Sequence, residues 1–395
     1  MTIVMFACSI RACELMQELK QKIENENPET AVICKVKCSA LKEQSEEKSL
    51  GELTGEWFAK ADALLFICAA GIAVRSIAPV LHHKSVDPAV LVMDETAKFC
   101  ISLLSGHAGG ANELAERIAV LFKEKGTLPV ITTATDREGK FAVDDFARRN
   151  RLFLTDWQLA KEISAGILQG EKTGILSEAV IEGNCPEGLK IVGSGVFSEE
   201  EEKEKDCLKQ KFRTGILISG KERKKQPFGK TLQLIPPVFY VGIGCKKNTS
   251  VKKIEEAVES CFQEEGLLLK GICCIASIDL KKQEKGILDY CKKRELPFIT
   301  YSARELMETE GDFTASGFVK QVTGADNVCE RSAVLAARLQ GKKKAAGQEK
   351  GAAGQVCVPG FKEDTEGEAV RLLVRKKSYD GVTIAVAEKT GRLKF

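Results

Sequence analysis

The chain has 395 residues, 44% hydrophobic and 29% charged, which excludes wholesale disorder and leaves room for two or three domains. Lys and Arg number 59 against 56 Asp and Glu, a net charge of +3 that is too balanced for a dedicated nucleic-acid binder. The apolar run at 63–74 stops at Arg75, short of the ~20 residues of a membrane helix, and the start lacks a basic signal region, so a cytoplasmic protein without membrane or nucleic-acid partners is expected.

In chain order, 2–7 reads as a strand, 10–24 as a helix and 31–36 as a second strand. Residues 42–52 are polar and read as a loop. A buried strand follows at 62–68. Strands at 88–93 and 99–104 flank a turn at 94–98. The segment 112–125 puts Leu114, Ile118, Leu121 and Phe122 on one helical face and ends at Gly126, and 129–133 is a further strand. This alternation predicts an α/β layer with a largely parallel sheet. From 151 to 225 charge runs such as 199–206 read as solvated surface, and Pro236 and Pro237 mark a boundary. A second α/β unit starts at 238, with strands at 238–243, 272–278 and 297–300. Its first helix lines up Val251, Ile254, Val258, Cys261 and Phe262, and a second helix covers 282–293. Residues 341–355 are low in complexity and expected to be disordered. Runs at 370–376 and 382–387 read as a hairpin around Asp380-Gly381. The expected fold is thus two α/β lobes with largely parallel sheets joined by a smaller middle domain, dividing as 1–150, 151–236 and 237–395. Gly-Ile recurs after strands in both halves without amounting to a repeat.

Fifteen cysteines occur without a C-x-x-C spacing, and only three histidines, His82, His83 and His107. No metal site or disulfide framework is expected from these spacings, and most thiols read as small, reduced, buried groups.

The segment Ser105-Gly106-His107-Ala108-Gly109-Gly110-Ala111-Asn112-Glu113 joins a strand to a helix. Its glycines let a ligand approach the backbone, and a helix start favours anions. His107 can move a proton near neutral pH, or it can simply hydrogen-bond within the loop. Thr132, Thr133 and Asp136 end the next strand, where open α/β sheets bind ligands, although turn and capping work suits them equally. Arg75 and Lys84 could meet a carboxylate or be plain surface. His82 and His83 beside Lys84 are expected to matter less. In the second half Gly242, Gly244 and Lys246 precede a helix, and Lys281 follows a strand end with Glu284 close behind. Cys245 has no histidine in its half to activate it, so covalent catalysis is not expected there. Neither the Walker nor the G-x-G-x-x-G spacing is present. These strand ends suit a polyanionic ligand.

The runs VRSIAPVLHHKSVDPAVLVMDE (74–95), ISLLSGHAGGANELAERIA (101–119) and PVITTATD (129–136) resemble the amino-terminal domain of the cobalt-precorrin-5A hydrolase family, CbiG type. VGIGCKKNTS (241–250), IASIDLKKQEKGI (275–287) and NVCERSAVLAA (327–337) resemble its carboxy-terminal domain. The resemblance implies a cobalt-containing, ring-contracted tetrapyrrole as substrate. Its ring A δ-lactone would be opened by water, and acetaldehyde would leave to give cobalt-precorrin-5B. It implies no separate cofactor, because cobalt enters bound in the substrate, and hand-over to other enzymes of that pathway. On this reading His107, or Asp136 through a water, is the general base. Gly109 and Gly110 N–H groups, with Thr132 or Thr133, hold the oxyanion. Ser105, Gly106, Gly109, Gly110, Glu113, Arg75, Lys84, Gly242, Gly244, Lys246 and Lys281 are the expected substrate contacts. Two rivals remain: a nucleotide-dependent transferase using the glycine-rich helix starts, and a corrinoid-binding protein without catalysis.

Overall fold

The computed structural model describes residues 1–83, 86–107, 109–132, 141–194, 208–223, 225–339 and 370–395. They form two compact units, Met1–Arg148 and Arg149–Phe395.

In the first unit, β1 (Thr2–Ala7), β2 (Ala31–Val36), β3 (Ala63–Ile67) and β4 (Ala89–Met93) run parallel. β1, β3 and β4 are continuous apolar runs because both faces of the sheet are covered. Alternate residues face opposite ways. Ile3, Met5, Leu65 and Leu91 pack under helices α1 (Ile10–Glu26) and α4 (Ala111–Leu121). Val4, Phe6, Phe66 and Val92 pack under α2 (Leu50–Phe58) and α3 (Ala70–Ile77). The strand order is β2-β1-β3-β4-β5-β6, so the winding reverses between β1 and β3. A tight turn then changes direction. Asp94 accepts from Thr96 N at 2.9 Å and Phe99 N at 2.6 Å, and Ala97 takes φ 56°. β5 (Phe99–Leu104) therefore runs antiparallel to β4, and β6 (Leu128–Val130) runs parallel to β5.

The second unit carries two five-stranded sheets. β7 (Phe153–Leu154), β8 (Thr173–Ser177), β10 (Leu189–Ser194), β11 (Thr214–Ile218) and β12 (Lys230–Ile235) are ordered β10-β8-β11-β12-β7, with only β7 antiparallel; β9 (Val180–Glu182) lies outside this sheet. β13 (Phe239–Cys245), β14 (Ile272–Ile278) and β15 (Phe298–Tyr301) are parallel. The hairpin β16 (Arg371–Tyr379)–β17 (Val382–Glu388) adds to them antiparallel to β13. Its turn has positive φ at Asp380 (33°) and Gly381 (85°), as a tight right-twisting hairpin demands. β18 (Arg392–Lys394) returns to pair with β9, and Asn150 exchanges hydrogen bonds with Lys394 at 2.8 and 2.9 Å.

The molecule is α/β with mostly parallel sheets, as the alternation implied. Among the described residues of 151–225, β7, β8, β10 and β11 supply four of the five strands of one sheet. The expected loop at 42–52 is overturned at its end by α2, which Ser49 and Glu52 start with a reciprocal capping box. The charge run at 199–206 and the low-complexity segment at 341–355 lie outside the described residues.

Candidate functional site

β5 and β6 are parallel neighbours, so residues 105–107 and Thr132 leave the sheet at the same end. β4 begins there too: a Cβ on Gly109 would sit 3.1 Å from Ala89 N. Ser105 takes φ 56°, and its carbonyl accepts from Gly109 N at 3.1 Å and Ala111 N at 3.2 Å. The His107 carbonyl accepts from Gly110 N at 3.0 Å, and the Gly106 carbonyl from Asn112 N at 3.1 Å. A Cβ at Gly106 would strike Asn112 Oδ1 at 2.6 Å, so this glycine also serves to fold the loop on itself. The oxyanion role expected for Gly109 and Gly110 is corrected by these bonds. Both N–H groups are already used inside the loop.

Arg148 is the residue that sequence reasoning missed. Its Nη2 pairs with Glu113 at 2.9 Å and Asp145 at 3.0 Å, and its guanidinium lies against Gly110, 3.2 Å from where a Cβ would be. Glu113 is thus an ion-pair partner of Arg148, which argues against its contacting an anion directly. Two buried polar atoms of this region, Ser105 Oγ and Arg148 Nε, have no hydrogen-bond partner among the described residues. Thr132 is exposed, whereas Thr133, Asp136 and Lys84 lie outside the described residues.

The structure does not bring Arg75 to this loop. Its guanidinium donates back to Gly71 O at 3.2 Å, at the start of α3, where β3 ends. Because β5 is reversed, that is the opposite end of the sheet. The segment of His82 instead leads into β4 at the loop's own end, held by His82 N–H bonding to the buried Asp87 carboxylate at 3.1 Å. His82, set aside in the sequence, therefore shares the sheet end with His107.

In the second unit a pocket of about 800 Å³ opens at the end of β13 and β14. Gly244, Lys246 and Lys281 line it together, joined by Lys247, Lys285 and Lys376. Lys281 pairs with the buried Glu284 at 3.4 Å. Leu280, Phe318 and Val322 form apolar wall and are 67%, 76% and 63% exposed, although large hydrophobic side chains usually seek cover. Burial pushes the Cys245 thiol up, against the pull of Lys281, which disfavours the thiolate that a nucleophile needs. Gly242 is not a ligand contact: a Cβ there would lie 1.8 Å from Cys329 O, so it admits the helix Val328–Arg338 against β13. Fully buried Glu330 in that helix accepts from Thr314 N (2.8 Å), Thr314 Oγ1 (2.9 Å) and Lys376 N (2.7 Å), which fixes the backbone of a rim lysine. No group of three or more metal-ligating side chains occurs among the described residues, and none of their helices is long and apolar enough to cross a membrane.

These features define a class: a doubly wound α/β protein with a glycine-rich strand-to-helix loop and a lysine-rimmed, partly apolar pocket sized for a large anionic ligand. The descriptions Cobalamin synthesis G N-terminal, Cobalamin biosynthesis central region and Cobalamin synthesis G C-terminus match residues 52–136, 141–236 and 239–387 in that order. The chain belongs to the cobalt-precorrin-5A hydrolase family, CbiG type. The Cobalt-precorrin-5A hydrolase of Priestia megaterium is 31% identical over 290 residues, 70% of this chain and 73% of the relative. That of Salmonella typhimurium is 32% identical over 290 residues, 72% of this chain and 78% of the relative. A solved cobalamin biosynthesis protein G homologue from Sulfolobus solfataricus aligns over 98% of this chain and 97% of its own, at 20% identity and a TM-score of 0.41.

Proposed function

We propose that this chain hydrolyses cobalt-precorrin-5A in cobalamin biosynthesis, opening the ring A δ-lactone and releasing acetaldehyde. The observation that carries this reading is the ordered family match over 52–387 with two hydrolase relatives above 30% identity. The lysine rim and apolar wall of the pocket support it, since a corrinoid is a broad apolar macrocycle edged with carboxylates.

Water adds to the lactone carbonyl while His107, or Asp136 through a second water, takes its proton. With the Gly109 and Gly110 N–H groups engaged in the loop, we assign the oxyanion to the Ser105 hydroxyl, buried without a partner among the described residues, and to Thr132 or Thr133. Collapse breaks the ester bond and leaves a ring A carboxylate and a hydroxyethyl group. The hydroxyl then loses its proton, the carbon–carbon bond to the ring breaks, and its electron pair passes into the metallated macrocycle as acetaldehyde departs. The second unit's pocket, with Gly244, Lys246 and Lys281 in its lining, is by itself suited to corrinoid carboxylates. No redox or nucleotide cofactor enters this balance, and cobalt is cargo of the substrate. We place the reaction in the cytoplasm, with the product passed to the next corrinoid-modifying enzyme.

The test is anaerobic incubation of pure protein with the lactone substrate, assaying acetaldehyde. Stoichiometric aldehyde without additives is expected. Turnover only with added ATP or NAD(P)H would overturn the reading, and tight binding without aldehyde would favour a corrinoid carrier.

A further inference from the structure

At the end of the first sheet opposite the glycine loop, Cys8 and Cys68 each lie one residue beyond paired parallel strands, because Ala7 is in register with Ile67. Two residues earlier on the same face, the rings of Phe6 and Phe66 stack with centroids 4.8 Å apart. That spacing is a ruler for the pair that follows, since neighbouring strands lie ~4.8 Å apart and disulfides form at Cα separations of roughly 4.4–6.8 Å. The two thiols lie close enough to shift each other's ionisation, and both are free. Cys13 and Cys34 pack against the core of the opposite face.

We propose that Cys8 and Cys68 are a dithiol that small disulfides of the glutathione class oxidise reversibly to an intramolecular disulfide. The pair is asymmetric in the way such chemistry needs. Cys8 is partly exposed and stands just before Ser9, the N-cap of α1, whereas Cys68 is buried and donates to Ala69 O at 3.5 Å. The neighbouring Cys68 holds the Cys8 thiol below its ordinary range, while Cys8 and burial raise that of Cys68. Cys8 is therefore the attacking sulfur. Its thiolate displaces one thiolate from the small disulfide and forms a mixed disulfide. Cys68 then loses its proton, attacks Cys8 Sγ and expels the second thiolate. Two protein thiols and one small disulfide become one protein disulfide and two small thiols.

The experiment is anaerobic incubation of the reduced full-length protein in glutathione buffers of graded oxidation, followed by thiol trapping and peptide mass mapping. The expected result is loss of two of the fifteen thiols, with a linked Cys8–Cys68 peptide that dithiothreitol releases. In Cys68→Ser, glutathione should remain attached to Cys8. In Cys8→Ser, Cys68 should stay unmodified. Wild-type protein that keeps Cys8 glutathionylated beside a free Cys68, or links other cysteines while these two stay reduced, would overturn the proposal without reference to either variant.

Discussion

The His107 carbonyl accepts from Gly110 N, a loop bond that an alanine keeps. With His107 as the general base, His107→Ala is expected to fold and bind substrate within a few fold of the parent while losing about 10²–10⁴ in turnover, the range of a general acid or base. Single-turnover kinetics with a melting curve separates this from a purely loop-holding imidazole, which predicts lower stability and a preserved chemical step. A near-normal rate would shift the role to Asp136 or to His82 at the same sheet end. Lys281 should behave differently. A residue that holds the carboxylate rim alike in ground and transition states raises KM when removed without slowing the chemical step. Lys281→Met should raise KM by roughly tenfold, about the 1.5–3 kcal/mol of a hydrogen bond to a charged group discounted because Glu284 already shares that ammonium.

Elements that are unbroken apolar runs or carry turn residues were legible: β1, β3, β14, the 94–98 turn and the Asp380-Gly381 hairpin all lie where the pattern put them. α2 was hidden because its capping box ends a long polar run that reads as loop. The middle sheet was hidden because its strands are short and hold glycine, yet a repeat was there to find. Thr-Gly-Ile-Leu occurs at 173–176 and 214–217, and the two copies pair in register, Gly174 beside Gly215, with Phe228 lying over both. The reversal of β5 could not be read from composition, and it decides which glycine junctions meet: Ser105 with Thr132, not with Arg75. Gly242 looked like a ligand loop for the same reason, that close backbone approach to a helix and to a ligand both select glycine. Gly242→Ala must push the Val328–Arg338 helix off β13, and a loss of at least 1–3 kcal/mol is expected, typical of overpacking. Urea unfolding measures it, and an unchanged midpoint would contradict the packing role.

For the whole molecule, the buried thiols set an alkaline limit. Burial pushes Cys100, Cys273 and Cys291 up to about 12 and Cys261 and Cys329 to about 11, from an ordinary 9.0. A raised folded value means that the unfolded chain releases protons first as pH rises. The stabilisation is complete below 9.0 and is lost progressively as pH climbs towards 11 and 12. Chemical unfolding followed from about pH 8 upward should show stability falling once the ordinary thiol value is passed. A flat profile to the upper end would mean that these thiols are not buried as described.

The lysine rim has a kinetic consequence. Lactone opening turns a neutral ester into a carboxylate, so the product carries one more negative charge than the substrate. On the proposed assignment, a pocket edged by Lys246, Lys247, Lys281, Lys285 and Lys376, with Glu284 as the acidic member, is expected to hold the product more firmly than the substrate. Product departure is then the expected slow step. Ionic strength should act in opposite senses on the two kinetic constants: screening with a Debye length of ~10 Å at ~0.1 M weakens capture and lowers kcat/KM, yet loosens the product and raises kcat. Stopped-flow and steady-state rates across a salt series test this, and parallel changes in both constants would refute it. An enzyme that grips its product in this way gives a reactive, newly contracted ring little time in free solution.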